Sequence, residues 1–212
     1  MRKIIVLGVC LILLCSCVKK NNLSSNEEKL LNEIGFDKEL IAEAKSIIKS
    51  DFKQLPAIEQ ETGDILKDQY FNGIYFEKYN DKYVKIKEKL EKNNYRVFLF
   101  EISYPEKHIA VIKGNDKFDV LKYRRTDGIN YGLQTEDIIN KISEWDKKYG
   151  VNIVGCGRDW VWIELNKLPK DLDMFSEEVY EFCPDIVDQG VGDMKKLKDS
   201  IKVNKELFLW WD

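Results

Sequence analysis

Apolar positions recur with two different spacings in the second half of the chain, and these spacings predict alternating strands and helices. Residues 95–103 are almost continuously apolar and aromatic, which is typical of a central strand, and a polar turn leads into the apolar run 108–112. From Thr135, placed to cap a helix, apolar side chains recur at helical spacing up to Gly150, where a helix commonly ends. The pattern indicates a β-hairpin followed by an amphipathic helix.

The rest of this half predicts a second pair of strands, two helices and a closing strand. Over 160–165, the set Trp160, Trp162 and Glu164 alternates with the aliphatic set Val161, Ile163 and Leu165, and the loop 155–159 joins this strand to the apolar run 151–154. The later elements are predicted at residues 172–182, 194–201 and 207–211. The order β-β-α-β-β-α-α-β favours an α+β fold, a mostly antiparallel sheet with helices packed on one face. The ferredoxin-like plan is its nearest common arrangement.

The first half of the chain predicts an extension of helices and a strand, residues 27–94, ahead of the α+β domain at 95–212. Ser25 and Glu28 have the spacing of a helix capping box. Asp37 is placed to cap a second helix, since apolar residues follow it at helical spacing.

A loop, a strand and a helix are predicted between these helices and residue 95. Pro56 and Gly63 indicate the loop, because both residue types interrupt regular structure. The strand is predicted at 73–79 and the amphipathic helix at 81–92.

The amino terminus has the charge order and the apolar core of a secretory signal. Arg2 and Lys3 precede an apolar run of about eleven residues, Ile4 to Leu14. A membrane-spanning helix needs roughly 20 apolar residues, so this run is too short to remain as an anchor. We expect residues 1–16 to be removed as a signal peptide and residues 17–26 to form a polar tether.

The four residues Leu14-Cys15-Ser16-Cys17 resemble the lipobox of bacterial lipoproteins. The resemblance implies that Cys17 is linked to diacylglycerol and becomes the new amino terminus, and that acyl chains such as palmitate hold the protein on a membrane. An ordinary signal peptide with incidental cysteines is the alternative. We expect a lipoprotein of the cell membrane or outer membrane, with its domain outside the cytoplasm and an unknown envelope protein or small ligand as its partner.

The charge distribution argues against nucleic acid as a partner. Removal of residues 1–16 takes Arg2 and Lys3 from the 34 basic residues, and the remaining 32 face 37 aspartates and glutamates, a net charge of −5. Basic and acidic residues are interspersed, and no basic patch stands out. This distribution is typical of a solvated protein surface.

Cysteine chemistry is limited to Cys156 and Cys183 once the signal is removed and Cys17 is lipidated. A structural zinc site needs four ligands, and the single His108 brings the available cysteines and histidines to three, so we expect no metal or cofactor. In an oxidising compartment the pair could form a disulfide if its Cα atoms lie within about 7 Å. Two buried thiols that pack as small apolar side chains are the alternative.

Four short motifs stand in order along the second half of the chain, namely Thr126–Tyr131, Trp145–Gly150, Phe182–Gly190 and Trp210–Asp212. On these motifs, the segment from about residue 95 to the end resembles bacterial domain-of-unknown-function family 4253. The family has no established activity, substrate or cofactor, so the resemblance implies none here. Residues 18–94 lie outside it.

The loop between the two late helices concentrates two carboxylates, a thiol and an amide, on Cys183, Asp185, Asp188, Gln189 and the adjoining Gly190. Arg158 and Asp159, from the connection between strands, are expected neighbours. Asp185 and Asp188 could bind a divalent cation or share acid and base roles. The same residue types also build a tight turn between helices, in which asparagine would replace either aspartate at little cost.

Other candidate groups also have an ordinary packing explanation. Gly155-Cys156-Gly157 lacks the spacing of a dinucleotide-binding motif and is typical of a strand turn. Either remaining cysteine could act as a nucleophile with His108 as its base, although a histidine within an apolar run is commonly packed in a sheet. The tryptophans could line a ligand groove or belong to the core, and these are Trp160, Trp162, Trp210 and Trp211.

The sequence favours a non-enzymatic binding or accessory module tethered to the cell envelope, because a lipobox is present and no catalytic set is recognisable. The alternative is a hydrolase or metal-assisted enzyme that uses Asp185 and Asp188.

Overall fold

The computed structural model describes residues 22–102 and 105–212. The predicted signal peptide and the predicted lipidation site Cys17 lie outside these residues. Within them, the helices are too short or too polar to cross a membrane.

The described residues form seven strands and seven α-helices. The strands are β1 (Phe52–Ile58), β2 (Ile65–Phe76), β3 (Tyr95–Glu101), β4 (Lys107–Lys113), β5 (Val151–Cys156), β6 (Trp160–Leu165) and β7 (Glu206–Trp210). The helices are α1 (Ser25–Glu33), α2 (Lys38–Ile48), α3 (Val84–Lys92), α4 (Asp119–Arg124), α5 (Thr135–Tyr149), α6 (Leu172–Phe182) and α7 (Met194–Asn204). Shorter 3-10 turns lie at Asp81–Tyr83 and Ile129–Tyr131, and a π-helical turn lies at Ile186–Val191.

All seven strands form one sheet in the order β1-β2-β4-β3-β5-β6-β7. Strands β3 and β5 are parallel, and the other neighbouring pairs are antiparallel. A mixed fold with a mostly antiparallel sheet, as predicted, is therefore confirmed. The ferredoxin-like plan is not confirmed.

Helices cover both faces of the sheet, so the prediction of helices on one face holds only for α4–α7. Helices α1–α3 pack on the opposite face. In β3, Phe98 and Phe100 belong to the core under α4–α7, whereas Val97 and Leu99 belong to the core under α1–α3. This burial on both faces explains why β3 is continuously apolar instead of alternating.

Helix α4 is absent from the order that the sequence predicts. The observed order from β3 is β-β-α-α-β-β-α-α-β. The helix has six residues and is followed by Arg125, which adopts the left-handed conformation with a φ of 55°. Fewer than two turns are too short for a helical period to stand out in the sequence.

Strand β1 occupies a segment that the sequence predicts as a loop. Pro56 lies within it, and the register shifts on both sides of this proline. Because β1 is an edge strand of the sheet, a residue without an N–H group is tolerated there. Strands β1 and β2 thus place residues 52–76, predicted as part of an extension, in the same sheet as residues 95–212.

Two helix starts lie one residue before the predicted caps. Ser24, not Ser25, accepts the capping hydrogen bond of α1, and Glu27 bonds back to the Ser24 N–H at 2.7 Å. Gln134 precedes α5, and its N–H donates to Asp137 at 2.8 Å. The helix predicted to end at Gly150 does so, and Gly150 has a φ of 70°.

Candidate functional site

Asp185 joins three segments that are distant in the sequence. Its side chain accepts hydrogen bonds on Oδ1 from the Tyr131 hydroxyl at 2.7 Å and from Gln189 Nε2 at 2.9 Å. Its Oδ2 accepts a bond from the backbone N–H of Asp212 at 2.9 Å. The residue is only 3 % exposed. Asp185 therefore connects the 3-10 turn before α5, the turn after α6 and the last residue of the chain.

The local sequence explains how Asp185 reaches this position. Pro184 cannot continue helix α6, which ends at Phe182. The chain then forms the π-helical turn Ile186–Val191 and leaves it at Gly192, whose φ is 88°. π-Helical turns are rare in proteins, and those that occur are often found at functional sites. The predicted inter-helix turn is thus a more unusual structure than proline, aspartate and glycine alone indicate.

Indole rings approach the backbone closely at Gly128 and Gly190, in two of the segments that Asp185 joins. A Cβ atom added to Gly128 would lie 2.9 Å from Cγ of Trp211, and one added to Gly190 would lie 2.6 Å from the ring of Trp210. Trp211 also donates from its indole nitrogen to the carbonyl of Phe182 at 3.1 Å. Both glycines are therefore required by close packing against tryptophan.

The four motifs that stand in order along the sequence meet in space around these contacts. Trp145 packs edge-on against Phe182 with ring centroids 5.6 Å apart, and Phe182 packs edge-on against Trp211 at 5.5 Å. The motif from Thr126 to Tyr131 reaches the same cluster through the bond from Tyr131 to Asp185. The four motifs are therefore separate in the sequence but form one cluster in the folded protein.

Hydrogen bonding keeps Asp185 ionised. Burial alone would raise the pKa of Asp185, but the bonds from Tyr131, the Asp212 N–H and Gln189 outweigh it and lower the pKa below its ordinary value. The bond to the Asp185 carboxylate in turn raises the pKa of Tyr131 to about 12. At neutral pH a phenol therefore donates to a carboxylate, and Asp185 is unsuited to act as a general acid.

Asp188 is exposed and has a different partner. The Tyr180 hydroxyl donates to its Oδ1 at 3.2 Å, and the charge of Asp188 raises the pKa of Tyr180. Gln189 and Gly190 are exposed beside it. In the described part of the chain, no three side chains of histidine, cysteine, aspartate or glutamate are grouped so that they could hold a metal ion.

Cys156 and Cys183 are free, buried thiols, so the structure contains no disulfide between them. Cys156 Sγ donates to the carbonyl of Val120 at 3.5 Å, whereas Cys183 Sγ donates to the carbonyl of Trp210 at 3.0 Å. Cys156 lies on β5, and β6 separates it from β7, which carries Trp210. Burial raises the pKa of Cys156 to about 12 and that of Cys183 to about 11, so both thiols are poor nucleophiles at neutral pH.

Arg158 and Asp159 contribute to the cluster mainly through their backbone. The carbonyl of Asp159 accepts the Trp211 N–H at 2.9 Å, and that of Arg158 accepts the Asp127 N–H at 2.7 Å. The guanidinium of Arg158 lies 3.5 Å from the carboxylate of Asp64, in the turn between β1 and β2. The positive charge of Arg158 therefore pairs with Asp64, whereas the partners of Asp185 are Tyr131, Gln189 and the Asp212 N–H.

His108 is packed in the sheet. Its Nδ1 lies 3.1 Å from the carbonyl of Glu77, and its ring packs edge-on against Tyr75 at 5.1 Å. The sulfur atoms of the two cysteines bond to other carbonyls. A cysteine nucleophile with His108 as its base is therefore not assembled.

The predicted tryptophan group is divided between the core and an outer aromatic surface. Trp211 is a core residue. The aromatic surface consists of three side chains on β6 and β7, namely Trp162, Phe208 and Trp210, whereas Trp160 is buried like Trp211. The rings of Trp160 and Phe208 stack at 5.3 Å, and those of Phe208 and Trp210 lie 5.9 Å apart. Phe208 is 41 % exposed.

Charged side chains border this aromatic surface. The ammonium group of Lys107 lies 5.8 Å from the ring centroid of Trp162, within the range of a cation–π contact. The Trp162 indole N–H donates to the Glu206 carboxylate at 3.2 Å. The surface thus combines aromatic rings with both signs of charge.

Sequence reasoning missed Tyr131, Asp212 and Phe208 as functional candidates. Tyr131 lies in a motif that carries the family resemblance, but nothing in the sequence connects it with Asp185, 54 positions away. Asp212 acts through its backbone N–H, which gives no residue-type signal. Phe208 lies on a strand, where successive side chains point to opposite faces of the sheet. Its exposure therefore depends on which elements cover its face, and the sequence does not show this.

Residues 108–212 match the family described as domain of unknown function DUF4253. The predicted resemblance is confirmed over this segment, which begins in β4 and contains the whole Asp185 cluster. No curated protein and no solved structure matches the chain.

Proposed function

We propose that this protein is a membrane-tethered lipoprotein whose folded part is a non-enzymatic binding module. The lipobox-like residues Leu14-Cys15-Ser16-Cys17 support the tether. In this proposal Cys17 carries the lipid, and residues 17–26 tether the fold to the cell membrane or outer membrane. The partner is another protein of the envelope, and the contact is made outside the cytoplasm.

The aromatic surface on β6 and β7 is the observation that carries the binding role. Aromatic side chains are enriched where proteins bind each other, and a polar rim commonly surrounds them. Phe208 exposes 41 % of its surface next to two other rings, and Lys107 and Glu206 lie at the border. A protein partner suits this mixture of rings and opposite charges.

The candidate catalytic groups support a binding role because the fold already uses them. Asp185 accepts three hydrogen bonds and is buried, so its oxygens are not directed at a substrate. The two thiols are buried and have a raised pKa. Asp188 remains exposed and is the strongest residue for the alternative, a hydrolase or metal-assisted enzyme.

Replacement of Cys17 by alanine tests the tether. We expect the native protein in the membrane fraction with incorporated radiolabelled palmitate, and the Cys17→Ala variant without label and in the soluble fraction. Cys183→Ala serves as the control, since a buried thiol should not take part in lipidation. A Cys17→Ala variant that is still labelled would contradict the tether.

Cross-linking in native membranes tests the aromatic surface. With Phe208→Ser we expect the loss of cross-linked products that the native protein forms. Val203→Ser is the matched control, because Val203 is 77 % exposed but lies on helix α7. Equal products from all three proteins would contradict a binding role for this surface.

A metal titration separates the enzymatic alternative from the binding module. Under the binding proposal, calcium or magnesium should change the melting temperature of the native protein and of an Asp185→Asn, Asp188→Asn double variant to the same extent. A metal-dependent rise seen only in the native protein would favour the alternative, because the substitutions remove the charges that a cation needs.

A further inference from the structure

An open groove of about 540 Å³ lies where β1 and β2 lose their regular pairing. Pro56 pairs with Tyr70, whereas the next residue of β1, Ala57, pairs with Leu66. Residues 67–69 of β2 therefore have no partner on β1. Register shifts of this kind bend a strand and redirect its side chains. The groove thus lies beside an irregular stretch at the edge of the sheet.

Apolar side chains from four parts of the chain line the groove. They come from α1, β1, β2 and the residue that follows β3, and they are Leu30, Phe52, Pro56, Ile65 and Ile102. Tyr70 also lines the groove and is 61 % exposed to solvent. Ligand pockets in proteins are mostly apolar and have volumes of about 300–1,000 Å³. The groove therefore has the size and the lining of a site for the apolar part of a small molecule.

Among the described residues, Lys67 is the charged side chain of the groove that has no partner. The other two charged side chains that line the groove are paired. Glu27 accepts hydrogen bonds from Nζ of Lys45 at 2.7 Å, and Lys53 forms an ion pair with Glu77. The ammonium group of Lys67 is therefore available to a ligand.

Two tyrosine hydroxyl groups add further donors. Tyr70 and Tyr75 line the groove, and neither hydroxyl has a hydrogen-bond partner within the described part of the chain. A lysine ammonium group acts as a point charge, whereas phosphate is commonly bound through the planar donors of arginine or through several charged groups. One ammonium group with neutral hydroxyls thus suits a ligand with a single negative charge, such as a carboxylate.

We propose that this groove binds a long-chain fatty acid. The hydrocarbon chain lies against the apolar side chains, because burial of apolar surface is favourable, and the carboxylate lies at the ammonium group of Lys67. The proposal does not depend on a lipid at Cys17 or on the aromatic surface, since neither contributes to the groove. The competing explanations are that the acyl chain of Cys17 itself occupies the groove, or that the groove is a surface depression without a ligand.

Photo-cross-linking of the full-length protein in isolated membranes tests the proposal. The probe is palmitic acid with a diazirine in its chain and a terminal alkyne, and mass spectrometry of the digested protein maps the labelled residues. We expect label in the segments that line the groove, and we expect excess palmitic acid to prevent this labelling. Label that excess palmitic acid does not reduce, or label confined to other segments, would overturn the proposal.

A pair of lysine variants tests the role of the charge. Lys67→Gln should raise the concentration of palmitic acid that halves the labelling about 2- to 5-fold, as expected for an exposed charge pair. A probe with an alcohol in place of the carboxylate should label Lys67→Gln and the native protein equally. Lys85→Gln is the matched control, because Lys85 is exposed on α3 and has no ion pair among the described residues. Equal competition in Lys67→Gln and Lys85→Gln would contradict a carboxylate at Lys67.

A pair of tyrosine variants tests the apolar part of the site. Tyr70→Ser should weaken the competition about 5-fold or more, because it removes a ring from the groove. Tyr79→Ser is the control, since Tyr79 is 50 % exposed and lies outside the groove. Native competition in Tyr70→Ser would overturn the assignment of the ligand to this groove.

Two further variants separate this proposal from the tether and from the aromatic surface. Label in the groove of Cys17→Ala, but not in that of the native protein, would show that the acyl chain of Cys17 occupies the groove, and would overturn a free fatty acid as the ligand. Phe208→Ser should be labelled like the native protein. The fatty-acid site and the binding role of the aromatic surface can therefore fail independently.

Discussion

Replacement of Asp185 by asparagine changes a charge at the meeting point of three chain segments. An asparagine oxygen can still accept the bonds from Tyr131 and Gln189. Its amide group, however, then faces the N–H of Asp212, so a donor meets a donor. The sequence alone indicates little cost for this change if Asp185 is only a turn residue, whereas the three bonds observed predict a clear loss of stability.

The expected loss follows from the number and type of these bonds. Loss of the bond from the Asp212 N–H, which ends on a buried charged acceptor, costs about 1.5–3 kcal/mol. The bonds from Tyr131 and Gln189 remain but weaken when the acceptor becomes neutral. Tyr131 is 41 % exposed and can bond to water, which reduces the cost. We expect a total of about 2–3 kcal/mol. For a domain of this size that corresponds to a fall in melting temperature of roughly 4–12 °C.

Asp188→Asn is the matched control for this variant. Asp188 is exposed, and among the described residues its carboxylate accepts bonds from the Tyr180 hydroxyl, so we expect a change in stability within about 0.5 kcal/mol. Circular-dichroism melts of the native protein and both variants at neutral pH provide the comparison. Equal melting temperatures for Asp185→Asn and Asp188→Asn would show that the cluster around Asp185 does not stabilise the fold.

The pH dependence gives a second, independent check. The fold lowers the pKa of Asp185, so its stabilising effect is fully present above the unfolded-state pKa of about 3.9 and is lost as the pH falls through the folded-state pKa. The difference in melting temperature between the native protein and Asp185→Asn should therefore be constant near neutral pH and narrow below about pH 4. A difference that widens on acidification would refute the assigned role.

Two further predictions concern the buried thiols and Gly128. Cys156 and Cys183 should react slowly with iodoacetamide in the folded protein, because burial raises the pKa of both thiols. After denaturation without a reductant, both thiols should be alkylated by the same reagent, as measured by mass spectrometry. A pair that stays unmodified after denaturation would indicate a disulfide. Gly128→Ala should cost about 1–3 kcal/mol and shift tryptophan fluorescence, since the new Cβ would lie 2.9 Å from Cγ of Trp211, whereas Asn130→Ala at an exposed neighbouring position should change neither.

The sequence by itself determined the elements whose signals are local. Helix α5 was predictable because its apolar spacing and Gly150 act within a few residues of each other. Strand β6 was predictable because its side chains alternate between the core and the aromatic surface. The family resemblance also rests on short motifs, which can be compared without a structure.

The tertiary structure alone decided the features that depend on contacts between distant residues. Strand β1 forms although Pro56 interrupts it, because an edge strand does not need every N–H group. The pairing of β3 with β5 joins residues more than fifty positions apart. Aspartate at position 185 suits either a turn or a metal ligand. Its bonds to Tyr131 and to the Asp212 N–H instead make Asp185 the centre of a hydrogen-bonded cluster, and no local sequence pattern connects these residues.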